Sequence, residues 1–365
     1  MMHQQEFGSD RKDQHVGLAS LQYKEESPSD LTETRFVHQS LPELSLDQVD
    51  VRTCFAGFEL AHPFYINAMT GGSVKTGEIN RSLGILAHYT GVPIAAGSLS
   101  AAMKDPNVLD TFSVLRKENP KGLIFANLGA HHGLDNAKRA VAALEANALQ
   151  IHVNAPQEIV MPEGDRDFSM WLKNIETLVR ELEVPVIVKE VGFGMSRETI
   201  SQLLSVGVKT IDISGTGGTD FAKIENARRS QNKLDFLEGW GQSTLVSTLE
   251  ALEARGQKEL SILASGGVKT SLDIVKLLAV GADAVGMSNR ILQLVKDGDG
   301  EHLQAACLEL DKMKEEIRAI VGMLGAKNLT ELRTKDLILA PKVQNWCEAR
   351  GIDWKAYANR SRGLK

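Results

Sequence analysis

Residues 149–166 read Leu-Gln-Ile-His-Val-Asn-Ala-Pro-Gln-Glu-Ile-Val-Met-Pro-Glu-Gly-Asp-Arg. The stretch opens as a strand whose two faces disagree: Leu149, Ile151 and Val153 are apolar, and Gln150, His152 and Asn154 alternate with them. Successive strand side chains point to opposite faces, so one face of this strand is a row of hydrogen-bonding groups. Gln157 and Glu158 follow at once, then a loop rich in Pro and Gly. Two readings stand at this point. An edge strand wetted on one side explains the alternation without any function. A wall of a ligand site explains it as well, and gives a reason for an amide and a carboxylate at the strand's end.

The neighbouring sequence bears on that choice. Short apolar runs recur at 64–68, 93–96, 123–127, 149–154, 185–190, 210–213, 260–264 and 283–287, with helical patterns such as 134–146, 171–182, 197–205 and 271–279 between them. Strands alternating with helices predict parallel pairing. Their number favours an α/β fold of the closed (β/α)8 TIM-barrel kind over a doubly wound open sheet. The barrel is expected over 61–295. Residues 1–60 carry helical and turn signals only and are expected to form an N-terminal extension. Residues 296–365 exceed a last barrel helix and are expected to form a C-terminal helical extension. The polar insertion 220–237, with Lys223, Arg228, Arg229 and Lys233, is a candidate lid.

A net charge of −6 gives no basic field for nucleic acid, although a local basic site for a small anion remains compatible with it. Cys54, Cys307 and Cys347 are odd in number and widely spaced, which reads as reduced thiols and not a disulfide frame or zinc site. No apolar run marks a signal peptide or a membrane span, so a cytoplasmic protein is expected.

In a barrel of this kind the site forms where the strands end. Those ends carry small and polar residues: Asn-Ala-Met-Thr-Gly-Gly-Ser (67–73), Gly97-Ser98, Asn127-Leu128-Gly129, Lys189-Glu190, Ser-Gly-Thr-Gly-Gly-Thr (214–219), Ser265-Gly266-Gly267 and Gly286-Met287-Ser288. Glycine lets backbone N–H groups approach an anion, so the last three ends together predict a phosphate cradle. Singly, each is as well explained as a turn. Lys189 ends the buried run Val186-Ile187-Val188, where a solvated charge is out of place. It suits a Schiff base or the stabilisation of an anionic ring. Glu158 is either a magnesium ligand beside substrate phosphates or an acidic residue at a helix start. Arg11, Lys12 and His15 form a solvated tail or a clamp over a diphosphate.

These motifs together resemble the type 2 isopentenyl diphosphate isomerases, FMN-dependent (β/α)8 barrels. The resemblance runs from Arg11 to about Arg290 and rests on Arg11-Lys12-x-x-His15, Ala-Met-Thr-Gly-Gly (68–72), the long match at 150–166, Lys189-Glu-x-Gly, 214–219 and 265–267. It implies that Ala68, Met69, Thr70, Ser98, Asn127, Lys189, Ser214 and Thr219 hold FMN, with Gly266, Gly267, Met287 and Ser288 at its phosphate. It implies that Arg11, Lys12, His15, Ser98, Ser100 and Gln157 contact the substrate, and that Glu158 binds Mg2+. Gln157, His152 and Asn154 are then the expected catalytic wall, with FMN reduced by NADPH acting as the acid–base agent. Many members carry an arginine where this chain has Ser100, which shifts the expected diphosphate contact toward Arg11, Lys12 and His15. The family also implies a homo-oligomer, tetramer or octamer. Two alternatives remain open: an FMN-dependent hydroxy-acid oxidase or dihydroorotate dehydrogenase, and a non-catalytic phosphate-binding barrel. This chain has no histidine at the ends of strands five to seven to serve a hydroxy-acid oxidase, and a mere binder has no need of the Gln157-Glu158 pair.

Overall fold

The structure is a computed structural model that describes residues 2–25, 29–298 and 300–364, with the side chains described within the span 11–362. Eight parallel strands close into a barrel: β1 (Phe64–Ile66), β2 (Ile94–Ala95), β3 (Ile124–Gly129), β4 (Ala148–His152), β5 (Val186–Lys189), β6 (Thr210–Asp212), β7 (Ser261–Ser265) and β8 (Ala284–Met287). β8 pairs with β1 to complete the ring. All eight expected strands are present, shifted by a residue or two at their ends. β4 stops at His152, and Asn154 caps the short helix Ala155–Val160, which carries Gln157 and Glu158.

Closure removes sheet edges, so the edge-strand reading of 149–154 is excluded. The alternation sorts residues into layers. Leu149 and Ile151 face outward and join the core beneath the helices. Inward, Tyr65, Ala95, Phe125, Ala148, Ile187, Leu263 and Ala284 form an apolar layer low in the barrel. Above it lie the inward polar residues Asn67, Asn127, Gln150, Lys189, Asp212 and Ser265, all buried.

The first sixty residues differ from expectation. Thr53–Phe55 and Phe58–Leu60 form an antiparallel hairpin, and Arg35–Phe36 pairs with Leu337–Ile338. The hairpin turns on Ala56 and Gly57, both at positive φ (51° and 83°). Such a two-residue turn usually announces itself as Asn-Gly or Asp-Gly, and Ala-Gly carries little signal. Its Phe55 and Leu60 plug the bottom of the barrel against Tyr65 and Phe125.

After β8 comes the short helix Asn289–Val295, and then Gly300–Met323, which packs against both Ser271–Val280 and Val74–Thr90. That helix takes the eighth place in the outer ring. The boundary expected at 295/296 therefore runs inside the last β/α unit. Beyond it, Pro341–Arg350 is fastened by Glu250. Glu250 Oε1 accepts from Trp346 Nε1 (2.9 Å) and Arg350 Nε (2.8 Å), and Oε2 accepts from the Arg197 backbone N–H (3.1 Å).

Burial pushes the Glu250 carboxyl up, but the bonds from Arg350, Trp346 and Arg197 outweigh it and hold it at about 2, below its ordinary 4.5. A depressed carboxyl stabilises the fold fully above its unfolded value and loses that contribution as pH falls toward the folded one. Glu250→Gln is expected to cost about 3 kcal/mol at neutral pH, the scale of breaking a buried pair. Denaturation midpoints followed from neutral pH down into the acid range check this. The difference between wild type and variant should shrink as the pH drops below about 4.5.

Candidate active site

A cavity of about 510 Å³ opens at the C-terminal ends of the strands. Every expected site residue lines it except Met287. The exception follows from strand alternation: Gly286 faces inward, so Met287 turns its side chain into the core under the helices. Gly286 and Ser288 line the cavity in its place, so the strand-eight end meets the cavity without the Met287 side chain.

The helix Met2–Gln22 lies along the cavity's rim. Arg11, His15, Ala19 and Gln22 recur at helical spacing and line the cavity, with Lys12 beside them. Outside anchors hold the helix there. Ser73 Oγ donates to Asp13 Oδ1 (2.6 Å), and Asn289 Nδ2 donates to the Ala19 carbonyl (2.8 Å). Gln22 exchanges two hydrogen bonds with the backbone of Asp220. Arg11, Lys12 and His15 are thus part of the cavity wall, and a solvated tail is excluded; burial lowers the His15 pKa against the pull of Glu225. Burial, with Arg11 adjoining, brings Lys12 down to about 8. A buried cation in that state gains from an anionic ligand that restores its charge.

At the end of β4, Asn154 Nδ2 donates to Gln157 Oε1 (3.1 Å) and to Glu158 Oε1 (2.8 Å). Glu158 Oε2 accepts from the Asp165 backbone N–H (2.8 Å), so the carboxylate is oriented before any ligand arrives. Gln157 Nε2 donates to Glu225 Oε1 (3.0 Å). Glu225 belongs to Phe221–Arg228 in the polar insertion, which lies against the site as a wall. Its carboxylate pairs with Arg228, and His15 Nε2 lies 3.0 Å away. Burial opposes its charge, but His15, Gln157 and Arg228 together hold it at about 2.

Sequence reasoning named the basic residues of that insertion and missed the acid between them. The signal was present as Glu225 and Arg228, a carboxylate and a guanidinium one helical turn apart. His131 and His132 were missed too, although a histidine pair two residues after β3 is suggestive. His132 Nε2 lies 2.8 Å from Ser100 Oγ, and Ser100 Oγ lies 2.9 Å from Ser98 Oγ. Burial lowers His132 to about 4, with His131 and Lys104 adding to the effect.

Lys189 is buried, and its Nζ donates to the Glu190 carbonyl (2.5 Å). Burial lowers its pKa, and Asp212 and Glu190 act to raise it. Glu190 turns away from the cavity: its Oε2 accepts from the backbone N–H groups of Val191, Gly192 and Phe193. The glycine loops after β6 and β7 pack backbone against backbone. A Cβ on Gly266 (φ 103°) would sit 2.0 Å from the Gly215 carbonyl oxygen, and one on Gly218 2.7 Å from the Gly267 nitrogen.

The family model for FMN-dependent dehydrogenases matches residues 115–339. The chain is 50% identical over 349 residues to an isopentenyl-diphosphate delta-isomerase of Latilactobacillus sakei, covering 95% of this chain and 98% of that one. It is 47% identical over 342 residues to the protein of that name from Staphylococcus epidermidis, covering 94% and 96%. The chain belongs to this isomerase family. Solved structures with the same fold include a flavocytochrome b2 variant (TM-score 0.64, 19% identity, 92% of this chain and 80% of that one). A mandelate oxidase variant with an FMN adduct is similar to the same degree (TM-score 0.62, 17% identity, 89% and 92%). At those identities the likeness concerns the barrel alone. The histidines lining the isomerase-family cavity are His15, His131, His132 and His152, none of them at the ends of β5 to β7.

Gly266→Ala forces a side chain into a left-handed backbone and onto a neighbouring carbonyl. The conformation alone costs about 1–3 kcal/mol, and the β6 and β7 loops must separate to relieve the clash. A lower denaturation midpoint together with less copurifying flavin is the expected outcome. Wild-type stability and wild-type flavin content in this variant would refute the tight packing of the two loops.

Proposed function

We propose that this chain interconverts isopentenyl diphosphate and dimethylallyl diphosphate, with FMN reduced by NAD(P)H and with Mg2+ on Glu158. The observation that carries the reading is one cavity bringing together the hydrogen-bond donors Arg11, Lys12 and His15, the Gln157-Glu158 pair and the buried Lys189.

The residues fit the three groups differently. For FMN, the glycine loops at 214–219 and 266–267 and the end of β8 at Ser288 offer backbone N–H groups to a phosphate. Ala68, Met69, Thr70, Ser98 and Asn127 would hold the ring system, and Lys189 would place positive charge beside it. For Mg2+, Glu158 is a buried, pre-oriented carboxylate lining the cavity. Among the described residues no three His, Cys, Asp or Glu side chains gather into a metal site. That suits a magnesium ion held by one carboxylate and completed by diphosphate oxygens and water. NAD(P)H is assigned only a transient role as reductant.

The reaction adds one proton to an alkene and removes another. An alkene is a poor base, and the Gln157 amide does not ionise in the ordinary pH range. Glu225 is held ionised by His15, Gln157 and Arg228, which rules it out as a resting proton donor. FMN in its reduced form supplies the acid–base chemistry that these side chains lack. The protein's own work is placement. Arg11, Lys12 and His15 close over the diphosphate from the rim helix, and Ser98 and Ser100 meet it from the opposite wall. Glu158 would hold Mg2+, which would supply a charge to fix the diphosphate. Gln157, pinned between Asn154 and Glu225, keeps its orientation as the hydrocarbon end is presented to the ring, which is the positional part of the catalysis.

Isopentenyl diphosphate supplied with Mg2+ and NADPH under anaerobic conditions is expected to yield dimethylallyl diphosphate. Absence of product while flavin is bound and reduced would sink the isomerase reading. Glu158→Gln keeps the fold and the bound flavin and is expected to raise the magnesium concentration needed for half-maximal rate by tenfold or more, the scale of losing one charge-assisted ligand. Full activity of this variant at limiting magnesium would show that the metal sits elsewhere.

A further inference from the structure

One chain of buried side-chain amides crosses the polar layer and ends on His152. Its polarity can be read from the far end. The Ala68 backbone N–H can only donate, and it lies 2.8 Å from Asn67 Oδ1, so Asn67 Nδ2 faces Asp212 Oδ2 (2.6 Å). With Asn67 Oδ1 an acceptor, the Gln150 atom 3.3 Å from it is Nε2. Gln150 Oε1 therefore faces Asn127 and accepts from its Nδ2 (3.1 Å). Asn127 Oδ1 is left to face His152 Nδ1 (2.8 Å), which must carry the hydrogen. Asn127 and Gln150 are direct register partners on β3 and β4, so the central link is built into the strand pairing.

We propose that Gln150 is a positioning residue that locks His152 in the Nδ1–H tautomer, so that Nε2 meets the occupant of the cavity as a hydrogen-bond acceptor. Gln150 is fully buried and does not line the cavity; it acts through Asn127. The opposite tautomer would require Asn127 to turn over. Gln150 would then have to turn as well, and Asn67 cannot follow against Ala68 and Asp212. Wherever the reversal stops, two like groups face each other in a dry interior, which is what makes such networks directional. The lone pair at Nε2 selects an N–H or O–H group of the bound molecules at that point. It disfavours a phosphate oxygen there, and that separates His152 from the Arg11, Lys12 and His15 cluster in role.

The tautomer is a property of the protein and does not depend on the isomerase reading, so its test can fail while that reading stands. The purified flavoprotein, labelled with 15N-histidine, is compared with His152→Asn to assign the His152 ring nitrogens by NMR at neutral pH. The expected result is a protonated Nδ1 and an unprotonated Nε2, with the other tautomer below roughly one part in ten. Gln150→Met removes the directional link at similar volume and should leave the two tautomers mixed. Gln150→Glu still accepts from Asn127 Nδ2 and should keep the Nδ1–H form. A wild-type ring protonated at Nε2, or at both nitrogens, overturns the proposal whether or not the variants fold. So does a Gln150→Met protein with an unchanged ratio, or a Gln150→Glu protein that switches.

Discussion

A barrel closed on itself has only one place for the hydrogen-bonding face of its fourth strand, and that place is the inside. Water cannot reach Gln150 or Asp212, so their polar atoms must satisfy one another or lose their solvation without return. The upper half of the barrel is organised by this requirement. Asp212 takes hydrogen bonds from Tyr65, Asn67 and Ser265, and Asn67 passes the network on to Gln150 and Asn127. The apolar layer below, plugged by the hairpin, keeps the network dry. The cavity above is where its remaining hydrogen-bonding capacity is exposed.

The same constraint explains the distribution of charge. Lys189 stands on the next strand over, in register with His152. A lysine and a histidine side by side in such a place cannot both be cations. Burial, with Lys189 adjoining, drives the His152 pKa well below its ordinary value. The buried positive charge of Lys189 is offset by Asp212 and Glu190 around it. On the rim a second arrangement repeats the logic, with the carboxylate of Glu225 set among His15, Arg228 and Gln157. Carboxylates thus act on the buried Lys189 inside the barrel and pair with Arg228 at the rim.

Most of this architecture is legible in the amino-acid sequence because period-two alternation and strand-end composition are local signals. All eight barrel strands are read from short apolar runs, and the polar face of β4 is visible in the order of its residues alone. What escapes depends on non-local or weak signals. The hairpin at 53–60 turns on Ala56-Gly57, whose backbone angles are imposed by the packing of Phe55 and Leu60 beneath the barrel. At the end of β8, composition treats the residues as a unit, whereas alternation sends Gly286 into the cavity wall and Met287 into the core. Glu225 comes from an insertion some seventy residues beyond Gln157, and only folding puts the two in contact. Ser214 is named from the sequence, but its φ of 28°, unusual for a residue with a side chain, is not legible there.

The hairpin plug has a further consequence for traffic. With Phe55, Leu60, Tyr65 and Phe125 filling the lower end, the barrel is a well and not a tunnel. Whatever is bound deepest has to arrive first and depart last, along the path that the helix Met2–Gln22 overlies. For a flavin-sized group at the base of such a well, the geometry of access would hinder loss as much as its own contacts would. The order of assembly is thereby written into the closed end of the barrel, at the pole opposite the chemistry.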